Sequence, residues 1–269
     1  MQVRSLGYRT DLLFARFDGQ VLDRGDYLVV RTPSNPGFYW GNYLLFDAPP
    51  TGADLLRWPA LFAAEHPSAR HMCLGWDHDD SGATEAFAAR DYLVMDDAVL
   101  VTDQRPPARS TSGFEVRTLG SASDWTAMWR LNIACDPQEG STVGYDSFKE
   151  ALRLRYRAMV EADHGRWLGA FVGAELIGAL GVFVERSDGT PADGTLARLQ
   201  CVETHPEHRG RGVCAALTAA AIATGLGELG ATRVVVVADH ASQAERIYLR
   251  AGFRAVSRQR GVYLATRVR

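Results

Sequence analysis

The segment His205 to Ala221, HPEHRGRGVCAALTAAA, constrains the fold more than any other stretch of this chain. A strand-like run ends just before it, and a helix of small residues opens inside it. Arg209, Gly210, Arg211 and Gly212 fall where strand hands over to helix. Glycine there lets backbone N–H groups reach a ligand with no Cβ in the way. The helix N-terminus adds unpaired donors and the positive end of its dipole, which suits a pyrophosphate. Two arginines beside those donors favour an anionic, phosphate-bearing ligand. Neither a P-loop string nor GxGxxG occurs, so the segment is not a nucleotide fingerprint of those kinds. The plain structural reading of the same residues is a glycine turn that caps a helix.

Downstream, Val234 to Val237 are apolar on both faces, the pattern of a buried parallel strand. After them Ala244, Ile247, Tyr248 and Ala251 recur at helical spacing, and Gly252 supplies a stop. Together the two segments resemble the GNAT N-acetyltransferase superfamily. Its acyl-CoA motif, Arg/Gln-x-x-Gly-x-Gly/Ala, reads here as Arg209, Gly212 and Cys214, with Cys214 standing where the family has Gly or Ala. Its A-x-x-x-Y-x-x-x-G-F reads as Ala244, Tyr248, Gly252 and Phe253. The Asn that the family often carries three residues before that Ala is Ala241 here. Taken alone, Tyr248 reads equally well as core on an amphipathic helix.

The resemblance implies an α/β fold, a mixed central sheet flanked by helices, with acetyl-CoA as co-substrate and no metal. It implies direct acyl transfer to a primary amine in a ternary complex. The backbone of Val202, Glu203 and Thr204 would pair with the pantetheine, and Arg209, Gly210, Arg211, Gly212, Val213 and Cys214 would hold the pyrophosphate. Tyr248 would protonate the departing thiolate, since a phenol keeps its proton at neutral pH. Glu203 is the first choice for the base, with His205, Asp239 and His240 as alternatives. Strand alternation leaves open which way Glu203 faces, and His205 reads equally as a turn cap. Glu185, Arg198 and Gln200 are further residues for the acceptor side. The acceptor, a small-molecule or peptide amine, is expected over Asn132 to Tyr145, which holds Cys135, Asp136, Gln138, Glu139 and Ser141.

Bulk properties narrow the class without naming the acceptor. At 269 residues with 46% hydrophobic and 23% charged residues, the chain can bury one large core or two ordinary ones. Net charge is −3, so nothing suggests general attraction to nucleic acid or to anionic membranes. Residues 1–113 carry ten basic and fifteen acidic residues, whereas 114–269 carry nineteen and seventeen, so the positive balance falls on the phosphate-site half. Cys73, Cys135, Cys201 and Cys214 show neither CxxC nor His-paired spacing, which implies neither zinc nor a disulfide framework. No signal peptide or spanning run is evident, and a cytoplasmic location is the default expectation.

A hydrophilic, Pro-containing stretch from Asp103 to Gly113 separates two halves. The expected division is 1–104, a linker at 105–113, and a complete catalytic unit at 114–269. That unit reads as strands at Phe114–Leu119, Trp167–Val172, Glu175–Glu185 and Leu196–Thr204, the valine strand, and a last strand near Gly261–Thr266. Its helices are Ser123–Ala134, Ser147–Ala162, one from the glycine turn to about Leu229, and the tyrosine helix. Ala83, Phe87, Asp91 and Tyr92 echo Ala244, Tyr248, Gly252 and Phe253 at a constant offset, so the first half reads as a degenerate, truncated copy. Phe38–Phe46, Gly52–Glu65 and Arg70–Leu74 would be its strand, helix and strand. Asp47-Ala-Pro-Pro-Thr-Gly replaces the acyl-CoA motif there: prolines remove donors and Asp47 would repel phosphate. Walling the acceptor pocket, shaping it and mediating a homodimer are the roles open to this half.

Trp76-Asp77-His78-Asp79-Asp80 offers metal-ligand side chains, but consecutive residues rarely converge on one ion, and the favoured reading is a loop whose Asp or Ser caps a helix near Gly82. Two rival functions remain: a non-catalytic acyl-CoA sensor, and an interaction protein in which both halves are relics.

Overall fold

Leucine, valine and aromatic residues fill eleven segments that join edge to edge into one sheet. The structure is a computed structural model and describes residues 1–107, 111–136, 145–185 and 194–265. In chain order the strands are β1 (Gln20–Asp23), β2 (Tyr27–Arg31), β3 (Tyr43–Phe46), β4 (His71–Trp76), β5 (Leu93–Thr102) and β6 (Glu115–Thr118). They continue as β7 (Gly165–Val172), β8 (Glu175–Val184), β9 (Leu196–Thr204), β10 (Arg233–Asp239) and β11 (Arg254–Ala265). Across the sheet the order is β1-β2-β3-β4-β11-β5-β10-β9-β8-β7-β6. Two neighbouring pairs, β3–β4 and β9–β10, are parallel; the rest are antiparallel.

The order contains an exchange. β5 precedes the 105–113 stretch yet lies between β10 and β11, while β11, at the far end of the sequence, lies between β4 and β5. Val234 to Asp239 of β10 pair with Thr102 to Asp97 of β5, and β11 pairs with β5 from Arg254 to Tyr263. Neither half therefore presents a free edge at the seam, where an unpaired strand would template aggregation. Val99, Leu100, Val101, Val234, Val235 and Val236 are all at most 1% exposed, so the seam is core.

Among the described residues seven α-helices cover the two faces: α1 (Leu6–Asp18), α2 (Asp54–Glu65), α3 (Thr84–Ala88), α4 (Ala122–Cys135), α5 (Tyr145–Glu161), α6 (Val213–Leu226) and α7 (Gln243–Arg250). On one face Leu13 and Phe14 of α1 pack with Trp125, Met128, Tyr156 and Phe183. Tyr8 and Leu12 of the same helix pack with Leu28, Val30, Tyr43 and Leu45, so α1 spans both halves. On the other face α6 and α7 bury Leu217, Ile222 and Tyr248 against Leu180, Val234 and Val236. Six of the fourteen residues of α6 are Ala, the strongest helix former. Its start fits closely because Gly178 leaves no Cβ to meet Val213, which a methyl group would reach at 2.7 Å.

Several sequence expectations change. The strand expected at Phe38–Phe46 is confined to Tyr43–Phe46, preceded by a 3-10 turn at Tyr39–Gly41. The last strand begins at Arg254 rather than near Gly261, because Arg254 to Arg260 pair along β5 instead of forming a loop, and from Arg260 on the strand pairs with β4 as well. The helix expected to be capped by Asp or Ser starts at Thr84, with Ala83 at its N-cap and no side chain capping it among the described residues. Helix α1 and strands β1, β2 and β5 carry no sequence expectation at all. Among the described residues, no helix is long and apolar enough to cross a membrane.

Candidate active site

Pairing between β9 and β10 is confined to Leu196–Arg198 against Arg233–Val235, the N-terminal ends of both strands. Beyond that point the strands part. On its other side β9 carries a bulge: Gly181 faces Gln200 and Ala179 faces Glu203, so Cys201 and Val202 share the place of one residue. Cys201 takes φ +50°, an uncommon value for a residue with a side chain. A bulge bends its strand and re-aims the side chains beyond it. Here those side chains belong to Val202, Glu203 and Thr204, which line a cleft of about 460 Å³.

The glycine turn closes one end of that cleft. Gly212 is the N-cap of α6 at φ +79°, and no side chain caps the helix among the described residues. Gly210 is also left-handed, at φ +75°, and the space beside both glycines is open. The first amides of α6 and its positive dipole end are therefore left for a ligand. Arg209, Gly210, Gly212, Val213 and Cys214 all line the cleft. Arg209 donates from Nε to the Thr204 carbonyl at 3.3 Å. Arg211 is not among the lining residues: it is exposed between two left-handed glycines, with Nη1 3.4 Å from Nδ1 of His208, which does line the cleft.

The bulge also decides where Glu203 faces. Its carboxylate accepts from Nδ2 of Asn132 on α4, beside Lys149 and Asp136, which pair at 3.3 Å. Burial pushes the carboxyl up to about 7; Lys149 and the Asn132 hydrogen bond counter this in part, and Asp136 adds to it. A carboxyl with that pKa is largely ready to accept a proton near neutral pH. Cys135, at the end of α4, also lines the cleft, and burial and Glu203 push its thiol up to about 11.

Tyr248 lines the cleft from the α7 side and is only 4% exposed. Burial is the main reason its pKa rises, and the neighbouring Cys214 adds to it, so the phenol holds its proton. Tyr248 and Val202 also line a second cavity, of about 340 Å³, between α1, β5, β9 and β10. Arg198 and Gln200 line that second cavity, whereas Glu185 pairs with Arg16 of α1. Of the alternative bases, none lines the cleft. His205 accepts from the Glu207 amide and caps a 3-10 turn, Asp239 sits in register with Asp97, and His240 lies 3.3 Å from Glu245.

Gln138, Glu139 and Ser141 fall outside the described residues. Sequence reasoning missed Lys149, His208 and Gln243 near the cleft and Asp11 and Asp97 in the second cavity; no spacing ties these positions together. The Asp77–Asp80 loop is structural. Asp77 is 3% exposed and accepts from the amides of Arg4 (2.7 Å) and Ser5 (2.8 Å), which fixes the start of α1. Asp79 accepts from the Arg258 amide at 2.9 Å. Among the described residues no group of three metal-ligating side chains gathers.

Residues 125–253 match the acetyltransferase (GNAT) family. No curated protein matches the chain. Among solved structures, a functionally unknown conserved protein from Staphylococcus epidermidis is 15% identical, covering 92% of this chain and 94% of that one, with a TM-score of 0.71. A GCN5-related N-acetyltransferase from Kribbella flavida is 13% identical over 96% of both chains, with a TM-score of 0.58. A tandem GNAT protein from the clavulanic acid biosynthesis pathway is 16% identical, covering 83% of this chain and 77% of that one, with a TM-score of 0.53. At such identities the likeness is one of fold, a mixed sheet flanked by helices, and the family rests on the motif-bearing segment. With the glycine turn, the parted strands and the tyrosine helix all inside it, the segment 125–253 of this chain belongs to the GNAT acetyltransferase family.

Proposed function

We propose that the chain is an N-acetyltransferase that moves an acetyl group from acetyl-CoA to a primary amine by direct attack within a ternary complex. The observation that carries this reading is the gap between β9 and β10, with an uncapped helix start at one end and a half-buried carboxyl and a phenol along its walls. The residues fit the co-substrate. Left-handed glycines and the first amides of α6 suit a pyrophosphate, and Arg209 adds a guanidinium. The parted edge of β9 at Val202 to Thr204 offers backbone groups to an extended, amide-bearing arm. When bound, acetyl-CoA supplies an activated thioester. Glu203 takes the proton that an incoming ammonium must lose, and Tyr248 delivers its own proton to the departing sulfur.

Calorimetric titration with acetyl-CoA tests the binding half of this reading. Arg209→Ala should weaken affinity by roughly 1–3 kcal/mol, the cost of losing a charge-assisted hydrogen bond. Unchanged affinity in that variant would move the phosphate site elsewhere. Amine-dependent release of free thiol tests the other half; tight binding with no thiol release from a broad amine panel would favour an acyl-CoA sensor.

A further inference from the structure

The second cavity has a composition that the cleft lacks. Its walls are apolar at Phe14, Val30, Phe38, Trp40, Met95 and Val237, and most of these lie in the N-terminal half. Four charged residues also line it, and three of them, Arg155, Arg198 and Asp11, are already paired. Arg155 pairs with Asp18 at 2.9 Å. Arg198 pairs with Asp11 at 3.1 Å and donates to Thr10 at 2.9 Å, and Asp11 also accepts from Gln259 at 2.6 Å. Asp97 is different: among the described residues no hydrogen bond or ion pair reaches its carboxylate. Asp239 faces it across the β5–β10 register, and Asp11 lies near, so its surroundings are acidic. Burial is the largest cause that lifts Asp97 to about 6, and Asp239 and Asp11 add to it while Arg198 subtracts. A half-buried carboxylate among like charges, with no cation in contact, is disfavoured, and a cationic ligand would offset that cost.

We infer that this cavity is the acceptor site and that it takes a small-molecule amine with an apolar body, whose ammonium is received by Asp97. The inference rests on the acetyltransferase reading for the direction of transfer. The cavity meets the cleft at Tyr248 and Val202, so an amine held there approaches the thioester position from the side opposite the helix α6 start. About 340 Å³ falls at the small end of ligand sites, which run roughly 300–1,000 Å³. The N-terminal half is then part of the active site. It contributes the anion from β5, the strand it lends to the other half, and the apolar wall from α1, Phe38, Trp40 and Met95. Asp97 is a positioning residue: it recruits the cation and takes no part in proton transfer.

The test uses the full chain with two probes, phenethylamine and its neutral counterpart 2-phenylethanol, titrated by ligand-observed NMR with CoA present. Wild type should bind the amine at least tenfold more tightly than the alcohol. Asp97→Asn, close to isosteric, should erase that preference, with its melting temperature confirming the fold and acetyl-CoA affinity unchanged. In turnover with phenethylamine the same variant should raise KM tenfold or more while kcat moves less than threefold. Met95→Trp, which fills the apolar wall, should weaken both probes alike. A preference retained in Asp97→Asn, or no binding of either probe to wild type, overturns the inference. Failure of acetyl-CoA to bind while the amine preference holds would overturn the acetyltransferase reading, and with it the acceptor role, while leaving Asp97 and the cavity as an amine-binding site.

Discussion

Twice in this chain a strand of a parallel pair hands over to a helix, at β3 to α2 and at β9 to α6, and the two turns have been finished in opposite ways. At the first, pairing runs to the strand ends: Leu44 to Phe46 pair with Leu74 to Trp76. Trp58 of α2 lies flat on Phe46, with centroids 3.9 Å apart and planes 2° off parallel, and Trp76 packs beside it. The turn satisfies itself. Asp54 accepts from the amide and hydroxyl of Thr51, Asp47 pairs with Arg4 at 2.9 Å, and the Pro50 carbonyl accepts from Ala83. At the second, pairing covers only the strand beginnings; neither helix start has a side-chain cap among the described residues, so the parted strands and the left-handed Gly210 and Gly212 set the second turn apart.

The ends of the two units are nevertheless alike. Tyr92 donates its amide to the Phe87 carbonyl at 3.3 Å, and Phe253 does the same to Tyr248 at 3.1 Å. Phe87–Tyr92 and Tyr248–Phe253 are both edge-on ring pairs. Asp91 at φ +64° and Gly252 at φ +96° both take the left-handed conformation that ends the helix. One backbone design thus serves twice. The candidate site lies where the strand edge is left unpaired, and a closed core lies where pairing runs to the strand ends and aromatic rings cover them.

Removing the carboxyl in the open gap should have the largest effect. Glu203→Gln is expected to lower turnover by about 10²–10⁴-fold, the usual contribution of a general base. Wild-type turnover should climb with pH through about 7 and then level, since the base acts when deprotonated. Stability should move the other way. A carboxyl whose pKa is raised by folding stabilises the fold fully at low pH and loses that contribution as pH rises from its ordinary value to about 7. Above that the buried charge costs at most about 3 kcal/mol, so Glu203→Gln should melt higher than wild type at pH 8. A variant that keeps both its rate and its wild-type melting curve would show Glu203 to be ordinary packing.

The closed turn should respond in stability alone. Trp58 is 2% exposed, and Trp58→Ala is expected to cost about 3–5 kcal/mol, read as a lower denaturation midpoint. Acetyl-CoA affinity should stay within twofold. Loss of affinity in proportion to stability would mean that the two turns are coupled through the shared sheet, and the comparison would fail.

What could be read ahead of the structure was local. The limits of β9 agree with Leu196–Thr204 because alternation stops where Pro206 and the glycines begin. Likewise α7 is legible because Ala244, Tyr248 and Gly252 obey helical spacing. The exchange of β5 and β11 was not legible, since which strand pairs with which is settled by long-range register. Ser257 to Arg260 look like a surface stretch, yet Gln259 is 4% exposed and reaches Asp11 of α1. Asp97 is one acid in a strand until α1, from the opposite end of the half, closes a cavity over it. The left-handed angles of Gly210 and Gly212 on either side of Arg211 are ones that no motif spells out.

Paired glycine substitutions sharpen the contrast with smaller effects. Gly212→Ala places a Cβ at φ +79° and should cost about 1–2 kcal/mol, weakening acetyl-CoA binding as the helix start shifts. Gly52 occupies the matching loop before α2, has open space around it and no positive φ, so Gly52→Ala should stay within about 0.5 kcal/mol of wild type. Equal effects at the two glycines, by thermal melting and calorimetry, would show that the open turn has no special backbone requirement.

The smallest effect is expected at Asp54, where the closed turn finishes itself. Both Thr51 hydrogen bonds, 2.9 Å from the amide and 2.7 Å from the hydroxyl, end on one carboxylate oxygen. Burial pulls this carboxyl up, but the Thr51 and Arg57 contacts outweigh it and hold the pKa below its ordinary value. Such a group stabilises the fold above its ordinary pKa, and the contribution fades as pH falls through the lowered one. Asp54→Ala should therefore cost about 1 kcal/mol at pH 7 and progressively less below pH 4 or so, the cost of a lost helix-start acceptor. Acetyl-CoA affinity should not change, because the donors that Asp54 satisfies belong to a turn that binds nothing. If affinity fell with stability, the N-terminal turn would have to be counted as part of the binding machinery, and the division between a closed turn and an open one would be drawn in the wrong place.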